Sequence, residues 1–238
     1  MTTHANFYRD FEAHLTFLYH ELFDANVHFH IVNSIRKAVA NRNLEIDYSP
    51  IFWGYTIAAH VSASISHLCR AYDKDKRALH LRFLLEAVRD NPDVFCKKAL
   101  KERLGRQSGS ENLVAHFGDP DSAQIERDIE FLDENASLLV KKLRVWSNNV
   151  AAHANREVSL DLESFNEQWA LNHKDVEALI SEGFRILDRC GGWYKATSYS
   201  DLPCSRAEKD HLYVVDALRR AGAPQKNLYD LIAEYNDY

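Results

Sequence analysis

Glycine and proline are scarce in this chain, at 8 and 5 among 238 residues. A turn-rich all-β architecture needs more of both at its corners, so that class is excluded and an all-α fold is expected. Long apolar runs are missing too. None approaches the roughly 20 residues needed to cross a bilayer. Met1-Thr-Thr-His-Ala-Asn carries no basic segment followed by an apolar stretch, so no secretory signal is expected either. Cysteine is thin and dispersed: Cys69, Cys96, Cys190 and Cys204 never come as C-x-x-C. That excludes a zinc ribbon or thioredoxin-type motif and fits reduced thiols in a cytoplasmic protein. Nor is there an excess of positive charge. The net charge of −6 argues against a general nucleic-acid-binding surface and leaves room only for a small local cationic site. No G-x-x-x-x-G-K-S/T, G-x-G-x-x-G or G-x-S-x-G occurs, which sets aside nucleotide hydrolases and serine esterases.

Helical periodicity fills the space these absences leave. From about Phe7 to Ala40, the residues Phe11, Leu15, Leu18, Leu22, Ala25, Phe29 and Val32 recur at alternating spacings of 4 and 3, a heptad-like seam. Phe23, Val27 and Ile31 make a second stripe, which predicts burial on more than one side. Ser49-Pro50 reads as the N-cap and first residue of a second helix carrying Trp53, Ile57, Val61, Ile65, Leu68 and Tyr72. A third is expected from near Arg77, with Leu81, Leu84, Leu85 and Val88 inward. Asn91-Pro92 breaks it and opens a shorter helix ending near Gly105. Between Gly105 and Ser122 the pattern disappears, and the segment reads as a loop. Then Ile125, Ile129, Leu132, Ala136, Leu139, Leu143, Trp146 and Val150 predict one unbroken helix from Ser122 to Val150, and three residues further the seam reaches His153. A last long helix is expected from Lys174 to Cys190, stopped by Gly191-Gly192. Residues 1–195 therefore read as one helical bundle. Residues 196–238 read as an appended helical hairpin, with a capping box from Ser205 to Glu208, then Leu212, Val215 and Leu218, then Leu228, Leu231, Ile232 and Tyr235.

Chemistry concentrates in Lys141-Lys-Leu-Arg144-Val-Trp-Ser147-Asn148-Asn149-Val-Ala-Ala-His153-Ala-Asn155-Arg156. Polar amides, cations and a histidine gather where a long buried helix ends. A lone histidine on an apolar seam is commonly structural. In a straight helix, at about 100° per residue, Arg144 lies nearly opposite His153, whereas Asn149 and Arg156 share the His153 face.

This segment resembles the signature of HEPN ribonuclease domains, an arginine and a histidine with four to six residues between them. Residues 5 to 190 are similar in layout to the AbiU-like, abortive-infection branch of that superfamily. The resemblance rests on the long first helix, Ser49-Pro-Ile-Phe-Trp53, Arg70-Ala-Tyr-Asp73, the stretch from Leu79 to Leu85 before Asn91-Pro92, and Asn149-Val-Ala-Ala-His153. It implies a HEPN-like antiparallel helical bundle that forms a homodimer, so that two motifs meet in one cleft. It also implies metal-independent cleavage of single-stranded RNA without a cofactor, in a toxin or phage-defence system with an antitoxin protein as partner. His153 would move the proton, and Asn148 matches the polar residue that follows the arginine. The arginine position itself holds Ser147. Three arrangements stay open: a kink near Ser147 brings Arg144 inward, Arg156 substitutes, or the site is degenerate. In the resembling family an acid placed like Asp73 steadies the arginine; Arg70 and Asp73 equally suit an ordinary (i, i+3) ion pair. The dimer interface is expected near Trp146 and Val150, where the seam runs into His153.

The remaining histidines lack metal-ligand spacing. His60 with His67, and His28 with His30, have no (i, i+4) partner or carboxylate of the H-E-x-x-H kind, so these, with His14 and His20, read as packed or solvent-facing. No metal site is expected. Trp193-Tyr194 and Tyr199 read as core cover rather than base-stacking groups. The competing functional class is a non-catalytic helical scaffold that binds RNA or protein. Arginines converging on one cleft favour the enzyme; arginines held outward in separate salt bridges favour the scaffold.

Overall fold

The computed structural model describes residues 2–40, 49–75, 77–105, 110–151 and 162–199, with a few helical positions between 213 and 220. Every regular element among the described residues is helical, so the fold is all-α as expected. Among them no helix is long and apolar enough to cross a membrane. The chain divides into two compact units: residues 1–25 with 65–202, and residues 26–64 with 203–238.

Helix α1 (Thr2–Ala40) buries its whole seam, from Phe11 through Leu15, Leu18, Leu22, Ala25 and Phe29 to Val32. Burying each large aliphatic stabilises by about 1.5–3 kcal/mol, so the seam rather than local propensity holds this long helix. Phe23, Val27 and Ile31 are half-buried, as a second stripe requires. Helix α2 (Pro50–Ala71) opens at Ser49, whose carbonyl accepts from the Trp53 amide at 3.1 Å.

In the larger unit, α3 (Leu81–Asp90) puts Leu81, Leu84, Leu85 and Val88 in the core. It starts four residues later than expected. The His80 ring accepts from the Phe83 amide as N-cap, while Asp75 takes the Arg77 amide and guanidinium into a turn. Asn91-Pro92 does interrupt the chain, but into two pieces. These are α4 (Pro92–Phe95) and α5 (Lys97–Leu104), hinged at extended Cys96 and closed by Gly105 at φ 61°.

Three expectations are corrected here. The stretch between Gly105 and Ser122 is not all loop: helix α6 (Ser110–Phe117) lies within it and packs on α5 and on the last long helix. Four of its residues, 106–109, lie outside the described residues. The seam from Ser122 to Val150 is not one helix either. It comprises α7 (Ser122–Phe131), a turn, and α8 (Leu138–Trp146). Asp133 folds the turn by accepting from the Asn135 amide at 2.8 Å, and Ser137 caps α8 by accepting from Val140. The apolar spacing survives the break because Leu132 and Leu143 still reach the core, but Ala136, at the turn, is exposed.

Third, Gly191-Gly192 does not stop the last long helix. After α9 (Leu162–Trp169), α10 (His173–Lys195) runs through both glycines to Ala196, in the left-handed region at φ 53°. The glycines serve close packing: a Cβ at Gly192 would enter the Phe117 ring, and one at Gly191 the Tyr199 ring. Helix α10 touches α3, α4, α5, α6 and α8 and is the axis of this unit, with Trp193 and Tyr194 buried as core cover.

In the second unit, Ile35, Ala38 and Trp53 form a small core with Ile31 and Ile57 against it. Of the expected C-terminal hairpin, positions 213, 214, 216, 217 and 220 are helical, while Cys204, the capping box and the Leu228–Tyr235 stripe lie outside the described residues.

Candidate functional site

Five residues, Ser147–Ala151, leave the α-helical register at the end of α8 for a π-helical turn. This is the predicted place of a bend, and two adjacent asparagines, poor helix formers, explain it locally. The wide turn loosens the carbonyl ladder, and the Asn149 side-chain amide donates to the Val145 carbonyl at 2.7 Å.

Arg144, three residues before the turn, is directed inward. Its side chain is only 15% exposed. One Nη donates to the Tyr72 carbonyl at 3.1 Å, and Nε lies 3.4 Å from the Glu134 carboxylate. Tyr72 closes α2 and is itself anchored, its hydroxyl donating to the Leu179 carbonyl at 2.6 Å. Burial pushes that phenol well above its ordinary value. The end of α2 and the end of α8 therefore face each other across a cleft of about 310 Å³. Leu143 and Cys69 line it with the polar groups Arg70, Asp73, Lys74, Arg144, Ser147 and Asn148. Burial pushes the Cys69 thiol up, and a hydrogen bond with Ser147 partly offsets this.

Three cations and one carboxylate line this cleft in a chain of net charge −6. The carboxylate, Asp73, is committed to its own turn, accepting from the Lys74 and Asp75 amides at 2.6 and 3.0 Å. Arg70 does not pair with Asp73. Its Nε donates to Glu21 at 2.7 Å, and Glu21 also meets His67 at 2.8 Å. The acid that meets Arg144 is Glu134, which also binds Lys74 Nζ at 2.7 Å. The Lys74 ammonium holds the Glu134 carboxyl below its ordinary range, with Arg144 adding to the effect. Sequence reasoning missed Lys74, Glu21 and Glu134. Asp133-Glu134-Asn135 falls inside what read as a continuous helix, because the in-phase apolar spacing outweighed the turn and cap residues Asp133, Asn135 and Ser137.

Of the expected site residues, Arg144, Ser147, Asn148, Arg70 and Asp73 come together here, and Asn149 sits in the π turn. His153, Asn155 and Arg156 lie outside the described residues, and nothing is described of the Val150 side chain.

Of the other histidines singled out in the sequence, His14, His28, His30, His60 and His67 are half-buried and His20 is exposed. His28 and His60 meet through Nδ1 at 2.7 Å within the second unit, and His14 stands edge-on to Phe83 at 4.5 Å between centroids. Among the described residues, no group of three or more His, Cys, Asp or Glu side chains gathers as metal ligands. A second cleft, of about 440 Å³, is lined by Phe117, Asp119, Asp121, Asp188, Arg189 and Trp193 among others. Its carboxylates are all occupied: Asp119 accepts from the Lys97 amide, Asp121 from Ala123, and Asp188 from Ser198 and Tyr199.

A family model described as AbiU2, of the HEPN type, matches residues 8–212. No curated protein and no solved structure matches the chain significantly.

Proposed function

The chain belongs to the AbiU2 family of HEPN domains, and on that premise we propose that it is a metal-independent endoribonuclease of an abortive-infection system. In this reading two copies join so that two clefts serve one strand of RNA. His153 takes the proton from a ribose 2′-hydroxyl, whose oxygen bonds to the adjacent phosphorus. The bond to the 5′ oxygen breaks, that oxygen takes up a proton and departs as a 5′-hydroxyl, and a 2′,3′-cyclic phosphate is left. A group titrating near neutrality suits the proton transfer, and a preorganised cation suits the charge that builds on phosphorus.

The observation that carries the reading is the inward Arg144 beside the π turn. With serine at the motif's arginine position, Arg144 is the upstream cation within reach of the cleft. Arg70 and Lys74 add positive charge for neighbouring phosphates. The second reading, a non-catalytic RNA-binding or protein-interaction module, draws on Ser147 and on the pairing of Arg144 with Glu134.

The test is cleavage of a labelled single-stranded RNA by the full chain and by His153→Ala, Arg144→Ala, Arg156→Ala and Ser147→Arg, each checked for folding. Arg144→Ala is expected to lose on the order of 10² to 10³ in rate, nearly as much as His153→Ala. Ser147→Arg is expected to raise activity, and EDTA to leave it unchanged. Wild type and all variants equally inert, with Ser147→Arg doing nothing, sinks the ribonuclease and leaves the binding module. Activity lost in EDTA and restored by one metal overturns the metal-independent mechanism. Sedimentation as a monomer at micromolar concentration removes the shared-cleft dimer.

A further inference from the structure

The geometry points to Glu134 as a tethered counter-anion of the Arg144 cleft, a carboxylate that an RNA phosphate displaces on binding. This rests on the reading of that cleft as the phosphate site and adds its regulation. One Glu134 oxygen lies 2.7 Å from Lys74 Nζ and the other 3.4 Å from Arg144 Nε. A single two-oxygen anion thus bridges two cations, as the two free oxygens of a phosphodiester do. The bridge is incomplete on one side. Arg144 Nε is buried and makes no hydrogen bond, because Glu134 approaches at ion-pair distance without alignment. A buried donor left in that state favours any acceptor that reaches it in better geometry.

Glu134 is also free to leave. It is 31% exposed on the turn between α7 and α8, and Lys74 is more exposed still. The turn does not depend on the Glu134 side chain, because Asp133 takes the Asn135 amide and Ser137 caps α8. Asp73, in contrast, is fixed by two backbone amides and cannot swing aside. The resting cleft is therefore neutralised by its own chain. A strand whose successive phosphates reach Arg70 as well as Arg144 competes better than a lone small anion.

The probe is a labelled single-stranded 2′-O-methyl RNA oligonucleotide, which binds without offering the attacking hydroxyl, titrated by fluorescence anisotropy over a salt series. Glu134→Gln is expected to bind about tenfold more tightly than wild type, the equivalent of one charge-assisted hydrogen bond regained. Its plot of log K against log salt is expected to steepen by about 0.7, one further phosphate contact. Glu134→Ala, which supplies no amide, is expected to give the same gain, and circular dichroism checks that both remain folded. Unchanged or weaker binding with an unchanged salt slope, alongside loss of binding in Arg144→Ala, overturns Glu134 as competitor and leaves the phosphate site standing. Binding by Arg144→Ala equal to wild type, or no binding by any form, overturns the phosphate site and this inference with it.

Discussion

Arg144 and Arg189 lie in the same unit at similar burial, 15% and 22% exposed, and each has an Nε without a hydrogen bond. Their carboxylates differ. Arg189 meets Asp128, which is 1% exposed on α7 and is also bound by Arg185 and Gln124. Arg144 meets Glu134, 31% exposed on a turn and shared with an exposed lysine. A buried carboxylate and the buried arginine it meets cannot separate without leaving a charge uncompensated in the interior. A pair with one member at the surface can open into water at little cost. So the Arg189 pair ties α7 to α10, whereas the Arg144 pair can give way to a ligand. An arginine's function follows less from its own burial than from the freedom of the carboxylate it meets.

The largest effect expected from this contrast is on stability. Asp128→Ala leaves Arg185 and Arg189 without their shared acceptor and should cost about 3–5 kcal/mol, read by urea denaturation. A loss under about 1 kcal/mol breaks the distinction, since the pair would then behave as a surface pair. Next comes Gly192→Ala, whose methyl meets the Phe117 ring that walls the Arg189 cleft. Overpacking of this kind costs about 1–3 kcal/mol, and a neutral result would mean that α6 gives way easily.

Arg144→Met, at the other pole, should change stability by no more than about 1 kcal/mol, because Glu134 keeps Lys74 and solvent. A loss as large as that of Asp128→Ala would make Arg144 a structural residue. The smallest effect is in the pH dependence. Burial pushes His80 below its ordinary value of 6.5, and its ring must stay neutral to accept from Phe83. The unfolded chain therefore binds the proton first, and stability falls as pH drops from about 6.5 towards the folded value. Melting temperatures at pH 7.5 and 5.5 should show that fall, and His80→Asn, which caps without titrating, should flatten it. An equal fall in both forms assigns it to His14 or His60, which burial also pushes down.

Much of this architecture was legible residue by residue. The α1 seam was, because each of its positions carries an apolar side chain and only one helical face accommodates that spacing. The start of α2 was also legible, because serine before proline has a local reason to begin a helix. The departure from α-helix at Ser147-Asn148-Asn149 was legible from helix propensity. The break between α7 and α8 was not. The apolar rhythm continues across it in phase, and an aspartate accepting from its own downstream amides leaves no mark on that rhythm. Gly191-Gly192 misled for a related reason: glycine ends helices and also admits close neighbours, and only the positions of Phe117 and Tyr199 decide which.

By itself the sequence determined an all-α chain, the buried stripes of its helices, the family to which it belongs, and the loss of regular helix at the end of α8. These are local or periodic properties, carried by the spacing of side chains along one helix. Only the tertiary structure decided that Arg144 faces inward against Tyr72, that Arg70 pairs with Glu21 rather than Asp73, and that Glu134 joins Lys74 to Arg144. Each joins residues from 10 to 72 positions apart. Charge pairing depends on distance through space, and until the helices pack the chain does not set which carboxylate lies near which arginine.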